Sequence, residues 1–169
     1  MKQIALTQGK VALVDDADFE WLTQWKWYTR KEKNTYYAVR TIITSLIKSS
    51  SNPNRKRILL PMHRDIMNAP KGKDTDHINH NGLDNRRCNL RICSRSENNQ
   101  NQLARKCSSI YKGVSWSKAA QKWEAYIKKT RKRIYLGYHI NEVDAALAYD
   151  IAAKKLFGEF AHTNLGGIK

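Results

Sequence analysis

An aspartate and a histidine stand side by side at positions 76 and 77, and their types make them the first candidates for chemistry. Histidine is the usual general base near neutral pH because its ordinary pKa is about 6.5. A hard cation such as Mg²⁺ prefers carboxylate and amide oxygens, and Asn98 can supply the amide beside the carboxylate of Asp76. Adjacent strand residues project to opposite faces, so Asp76 and His77 can approach one site only where their strand ends in a loop.

The pattern around these residues predicts a ββα unit. Two short strands are expected at Thr75–Ile78 and Leu90–Cys93, with a polar, asparagine-rich loop between them. The sequence Ser-Arg-Ser-Glu at 94–97 is a capping box, which predicts a helix that carries Asn98 in its first turns. The plainer alternative is an asparagine-rich loop without chemistry. Three arginines here add charge that suits phosphate: Arg86, Arg87 and Arg91.

The segment D-H-I-N-H-N-G-L-D-N-R-R-C-N-L-R, followed by S-R-S-E-N-N, resembles the HNH nucleases of the phage and intron homing-endonuclease type. The resemblance spans about 62–103. It implies a ββα-metal site that uses Mg²⁺ or Mn²⁺ to hydrolyse a phosphodiester. It also implies products with 5′-phosphate and 3′-hydroxyl ends.

The family's functional positions fall on four residues of this chain. By the resemblance, His77 is the general base, and Asp76 and Asn98 are the metal ligands. Asn89 matches the residue that braces the loop and orients the histidine. The family often has histidine where this chain has Asn98. That departure leaves two neighbours as alternatives for the second ligand: Asn99 and Gln102.

The composition points to a polyanionic partner. The 169 residues include 31 Lys+Arg and 15 Asp+Glu, which gives a formal net charge of +16. Such an excess favours nucleic acid first and an acidic membrane surface second. No run approaches the roughly 18 apolar residues of a membrane span, and the N-terminus lacks the apolar stretch of a secretory signal. The three cysteines form no C-x-x-C pair, so we predict a cytoplasmic, reduced and zinc-free protein.

The C-terminal region concentrates the positive charge. Positions 105–133 hold ten Lys and Arg residues against one acid, Glu124. A helix is predicted to begin after Asn141 and to end at Gly158, with a face of small alanines that suits close packing on a sheet. Three strands of a meander are predicted before that helix: Tyr111–Trp116, Lys122–Lys128 and Arg133–Tyr138.

This region resembles the AP2/ERF DNA-binding domain over about 109–165. The resemblance lies in Y-K-G-V, K-W-x-A-x-I, R-x-Y-L-G and the helix A-A-x-A-Y-D-x-A-A. It implies a three-stranded sheet packed on one helix, with the sheet laid in the major groove of double-stranded DNA. Serines replace two family arginines and a tyrosine replaces a glutamate, so the family's target sequence does not carry over. The matching contact positions are Lys112, Ser115, Ser117, Tyr126, Lys128, Arg133 and Tyr135.

The first 62 residues predict a small β-sheet, with Tyr36–Ile43 as the clearest strand. The tryptophans at 21, 25 and 27 are more typical of a sheet core than of base stacking. The chain is therefore predicted to be α+β, with a small N-terminal sheet, a ββα-metal unit and a C-terminal three-stranded antiparallel sheet packed on one helix. We predict two domains: a nuclease domain at 1–105, with its ββα core at about 62–105, and a DNA-binding domain at 106–169.

These features together predict a sequence-directed DNA endonuclease that acts as a monomer, with no obligate protein partner and no membrane. One HNH site per chain cuts one strand per binding event, so a nick is the expected product. The resemblance implies a homing or mobile-element role, in a host cytoplasm if the gene is carried by a phage. Two alternatives stay open: a DNA-binding transcriptional regulator with an inactive nuclease remnant, and a structural or RNA-binding basic protein.

Overall fold

The computed structural model describes residues 1–32, 35–46, 55–103, 108–130 and 132–166. The chain forms two compact units, Met1–Arg95 and Ser96–Lys169. The predicted domain boundary at 105 lies outside the described residues. The helix that follows the second strand of the ββα segment is counted almost entirely with the second unit.

The first unit begins with a hairpin and a helix. Strand β1 (Lys2–Ala5) pairs antiparallel with β2 (Val11–Val14), and helix α1 (Asp16–Thr23) follows. Two acids in the first turn of α1, Asp16 and Asp18, suit the positive end of a helix. The sequence analysis expected only strands in this region and did not predict α1, because eight residues give too short a run for a clear helical period.

A three-stranded antiparallel sheet completes the N-terminal part. It consists of β3 (Tyr28–Glu32), β4 (Thr35–Leu46) and β5 (Arg55–Pro61), with β4 in the centre. The central strand contains the predicted run Tyr36–Ile43, whose β-branched and aromatic residues favour a pleated sheet. Helix α2 (Met62–Ile66) follows β5 directly.

The predicted ββα segment has its expected elements. Strand β6 (Asp74–His77) pairs antiparallel with β7 (Leu90–Cys93), and α3 (Arg95–Gln100) follows. The register sets His77 opposite Leu90 and Asp76 opposite Arg91. Leu90 joins the core of the first unit, which anchors the end of β6 that carries the histidine.

Two of the three tryptophans serve that core, as predicted. Trp27 is 3% exposed and donates its indole N–H to the Leu22 carbonyl at 2.8 Å. Trp21 is partly buried and packs against the same core. Trp25 is 47% exposed, and the guanidinium of Arg40 lies 4.2 Å from its ring centroid.

The second unit confirms the predicted sheet on one helix. Strands β8 (Val114–Ser117), β9 (Lys122–Lys129) and β10 (Lys132–His139) form an antiparallel meander, and α4 (Glu142–Phe157) packs on one side. Three alanines of α4 are fully buried, Ala145, Ala146 and Ala153, and Tyr149 of the same helix is 3% exposed. Gly113 has φ +76°, and a Cβ there would lie 2.2 Å from Tyr149 Cδ2. Glycine at this position therefore permits the close approach of strand and helix.

Candidate functional site

His77 lies buried at the end of β6, with 5% of its surface exposed. Its Nε2 is 3.3 Å from Oδ1 of Asn85, in the loop that joins β6 to β7. Burial lowers the pKa of His77, against opposing contributions from the Asn85 contact and the nearby carboxylates Asp76 and Asp84. The imidazole is therefore neutral at neutral pH, which is the state that a general base requires.

Two aromatic side chains surround the His77 ring. The centroid of His63, from α2, is 4.8 Å away, and that of Tyr37, from β4, is 5.7 Å away. The pKa of His63 is lowered to about 3, first by burial and then by the charge that His77 carries when protonated. Nδ1 of His63 is buried, and no described residue makes a hydrogen bond to it. His63 is thus a second neutral imidazole beside the first.

Asp76 is held by an arginine from the neighbouring strand. Nε and Nη2 of Arg91 both donate to Oδ2 of Asp76, at 3.0 and 2.8 Å. The Arg91 side chain is 13% exposed and that of Asp76 is 9% exposed. Arg91, predicted as a DNA contact, thus lies in a largely buried ion pair, so its role on DNA stays a prediction.

Asn89 braces the loop through three hydrogen bonds. Its Nδ2 donates to the Asp84 carbonyl at 2.8 Å and to Oδ1 of Asn79 at 3.0 Å, and its Oδ1 accepts from the Asn79 backbone N–H at 3.0 Å. The backbone N–H of Ile78 also donates to the Asn89 carbonyl at 2.9 Å. These contacts agree with a bracing role for Asn89. Asn85, whose Oδ1 lies 3.3 Å from Nε2 of His77, was not among the predicted site residues.

The other two arginines of the segment are also paired with carboxylates. Arg86 binds both oxygens of Asp84 at 2.7 Å, and Arg87 binds both oxygens of Asp18, in α1, at 2.8 and 2.7 Å. Each guanidinium is the largest cause of a lowered pKa in the carboxylate it binds. Asp15 accepts the Arg87 backbone N–H as well, at 2.8 Å. These ion pairs hold the loop in place within the first unit. Phosphate binding by Arg86 and Arg87 stays a prediction.

The predicted metal ligands belong to different units. Asp76 lies in the first unit, whereas Asn98 lies on α3 in the second. Their carboxylate and amide oxygens fit the chemistry of Mg²⁺ or Mn²⁺. Within the described ranges, no group of three or more His, Cys, Asp and Glu side chains is placed to hold a metal ion.

The second unit brings six of its seven predicted DNA contacts to one face of the sheet. The register pairs Tyr126 with Tyr135 and Lys128 with Arg133, and directly opposed residues share a face. Strand alternation places the two serines on that face too, because Val114 and Ala125 are buried on the other, against α4. The predicted contacts on this open face are Ser115, Ser117, Tyr126, Lys128, Arg133 and Tyr135.

Arg133 is already oriented on the open face. Its guanidinium carbon lies 3.8 Å from the centroid of the Tyr126 ring, and its Nη2 is 2.9 Å from Oε2 of Glu124. Arginine stacks on aromatic rings, so this contact holds the planar donor group in a defined direction.

Lys112, the seventh predicted contact, is engaged within its own unit. Its Nζ donates to the carbonyls of Gln100 and Gln102, at 2.5 and 2.7 Å. Burial lowers the pKa of Lys112 to about 8. The side chain thus holds the main chain at the end of α3, and a DNA contact by Lys112 stays a prediction.

Two parts of the chain match known proteins. Residues 68–100 match the family model described as HNH endonuclease. A 63-residue stretch in the C-terminal region is 45% identical to "Dehydration-responsive element-binding protein 2D" of Arabidopsis thaliana. That alignment covers 34% of this chain and 29% of the relative.

Among the described residues, no helix is long and apolar enough to cross a membrane. The chain thus carries a segment that matches the HNH endonuclease family model and a C-terminal region that is similar to an AP2/ERF-type protein.

Proposed function

We propose that this protein is a sequence-directed DNA endonuclease that nicks one strand of double-stranded DNA. The observation that carries the proposal is the state of His77, within the segment that matches the HNH family. Its imidazole is buried, kept neutral by burial and within hydrogen-bonding distance of Asn85, and Asp76 precedes it in the same strand. That combination suits a base that removes a proton from water.

His77 performs the proton transfer in the proposed reaction. The neutral imidazole takes a proton from a water molecule, and the resulting hydroxide attacks the scissile phosphorus in line with the leaving 3′-oxygen. Asn89 keeps the loop in shape, and Asn85 orients the imidazole. Asp76 and Asn98 would hold one Mg²⁺ or Mn²⁺, which when bound stabilises the negative charge on the phosphate and on the leaving oxygen. The P–O3′ bond breaks, the leaving 3′-oxygen takes a proton from solvent water, and His77 returns its proton to solvent, so the products carry 5′-phosphate and 3′-hydroxyl ends.

The open face of the C-terminal sheet supplies the anchor on DNA. It carries Lys128, Arg133 and two tyrosines, and the major groove admits such strands. Arg133 is suited to read a guanine, because a guanidinium can donate to O6 and N7 together. The proposed enzyme acts as a monomer, and the proposed setting is a homing or mobile-element role in the cytoplasm.

A plasmid assay tests this proposal. A pool of supercoiled plasmids with varied inserts is incubated with the protein, with Mg²⁺ or Mn²⁺ or with EDTA, and conversion to the open-circular form is followed. We expect metal-dependent nicking that falls by about 10²–10⁴ in rate in His77→Ala, because the general base is lost. DNA affinity should stay near wild type.

His80→Asn is the matched control for the base. His80 lies three residues further along the same loop and has φ +63°, a conformation that asparagine tolerates. This variant should nick at the wild-type rate. Equal nicking by His77→Ala and wild type would contradict the assignment of the base, and absence of nicking with every metal would contradict the enzyme.

One observation favours the alternative of a DNA-binding regulator with an inactive nuclease remnant. Nε and Nη2 of Arg91 both donate to Oδ2 of Asp76, so this predicted metal ligand is already paired with a positive charge. A remnant of this kind would bind DNA through the C-terminal sheet and leave the plasmid supercoiled in every metal. The plasmid assay therefore separates the two functions.

A further inference from the structure

We propose that His63 is a positioning residue for His77: together with Tyr37 it forms an aromatic seat that fixes the plane of the His77 ring. The inference rests on the proposed function, because a fixed ring plane matters for chemistry only if His77 is the base. His63 belongs to α2, which precedes the strand pair β6 and β7, and it acts on the reaction only through the base.

The three rings of the seat come from three separate elements and are in mutual contact. His63 and His77 meet edge to face, with centroids 4.8 Å apart and planes at 73°. Tyr37 lies 5.4 Å from His63 and 5.7 Å from His77, tilted by 51° to each. These separations and tilts lie within the range that aromatic pairs prefer.

The seat supplies a constraint that the hydrogen-bonding contact does not. Asn85 engages one ring atom of His77, Nε2, at 3.3 Å. A hydrogen bond at one ring atom does not by itself fix the plane of the ring, whereas two rings packed on its sides restrict its tilt. A general base must point its lone pair at the water it activates, and a small misplacement lowers the rate steeply.

Helix α2 holds His63 firmly against the strand that carries Tyr37. Met62 and Ile66, on either side of His63 along α2, are buried in the core of the first unit. Nε and Nη2 of Arg40, on β4, donate to Oδ2 of Asp65, on α2, at 3.0 and 2.8 Å. His63 and Tyr37 are therefore held in place relative to each other before DNA binds.

His63 acts in this seat through packing. Its Nδ1 is buried, and no described residue makes a hydrogen bond to it. A flat apolar ring at position 63 should therefore perform the same task, whereas a small side chain should leave a gap beside His77. This difference makes phenylalanine and alanine an informative pair of substitutions.

The experiment compares His63→Ala and His63→Phe in the full chain by single-turnover nicking at saturating DNA. DNA dissociation constants and melting temperatures are measured in parallel. We expect His63→Ala to nick about 10–100 times more slowly with an unchanged dissociation constant, because the base is misplaced and the DNA-binding face is not. His63→Phe should remain within about threefold of the wild-type rate.

Leu22→Ala is the matched control, because Leu22 is fully buried in the same core but lies on α1, outside the helix that carries His63. It should lower the melting temperature and leave the nicking rate unchanged at temperatures well below melting. If Leu22→Ala slows nicking as much as His63→Ala, loss of stability explains both and the inference is wrong. Wild-type nicking by His63→Ala would overturn it as well.

Two further outcomes keep the inference separate from the proposed function. If His63→Ala fails to fold, His63→Phe alone provides the test. A nicking rate of that variant 100-fold or more below wild type then overturns the inference. If the wild-type protein nicks nothing, the proposed function fails by itself. Nuclear Overhauser contacts between the ring protons of positions 37, 63 and 77 then still support or refute the seat.

Discussion

The ion pair between Arg91 and Asp76 allows a test of the metal site that does not depend on activity. Replacing Arg91 with methionine retains much of the side-chain volume and removes both donors to Oδ2 of Asp76. Because the pair is largely buried, the carboxylate of Asp76 loses the charge of Arg91 where water replaces it poorly. If Asp76 binds a divalent cation, that cation can take the place of the guanidinium.

The expected magnitudes follow from burial and from the size of the unit. Removal of one partner of a buried pair costs about 3–5 kcal/mol of unfolding free energy. In a domain of this size, about 1 kcal/mol shifts the melting temperature by roughly 4–8 °C, so Arg91→Met should melt at least about 12 °C lower in EDTA. A metal ion at 100 times its dissociation constant should restore about 2.7 kcal/mol. Saturating metal should therefore restore most of the melting temperature that Arg91→Met loses in EDTA.

The assay is thermal unfolding of wild type and Arg91→Met in EDTA and in a titration of Mg²⁺ or Mn²⁺. Arg87→Met is the control, because Arg87 forms a similar two-point ion pair with the buried carboxylate of Asp18, away from the predicted ligands. It should be destabilised and should not respond to metal. If Arg91→Met gains no more from metal than Arg87→Met does, Asp76 is not a metal ligand and the reasoning fails.

Two other predictions concern the second unit. Arg133→Ala should cost about 1–3 kcal/mol on a preferred duplex selected from a random pool and little on random DNA, whereas Lys128→Ala should weaken both and reduce the salt slope by about one unit. Salt titrations on both duplexes check this. If Arg133→Ala loses the same binding free energy on both duplexes, Arg133 contacts a phosphate and not a base. The pKa of Lys112 is lowered to about 8 in the folded state from 10.5, so the unfolded state binds more protons between those values and stability should rise with pH there. The denaturant midpoints of wild type and Lys112→Met are measured from pH 7 to 10, and the midpoint of wild type should rise relative to that of the variant. If the two midpoints change with pH in parallel, the prediction is wrong.

The elements that the sequence determined are those that depend on neighbours along the chain. The strands β6 and β7, the asparagine-rich loop and the capped start of α3 follow from turn and capping chemistry. The shared face of Tyr126, Lys128, Arg133 and Tyr135 follows from the two-residue period of a strand and an antiparallel register. The alanine face of α4 follows likewise from its helical period. The types of the candidate catalytic residues were also visible, because they stand within one motif.

The tertiary structure decided which of these residues have partners, and this changes the role of several. Arg87 is paired with Asp18, 69 positions earlier, and Asp76 is paired with Arg91 across a strand pair. The ring of His63 reaches His77 from a different element, and Lys112 holds carbonyls near the end of α3. Short-range preferences act between residues close in sequence, whereas burial and charge pairing depend on distance in space. The motif therefore indicated the chemistry, and only the fold revealed which charges are already neutralised and what holds the base in place.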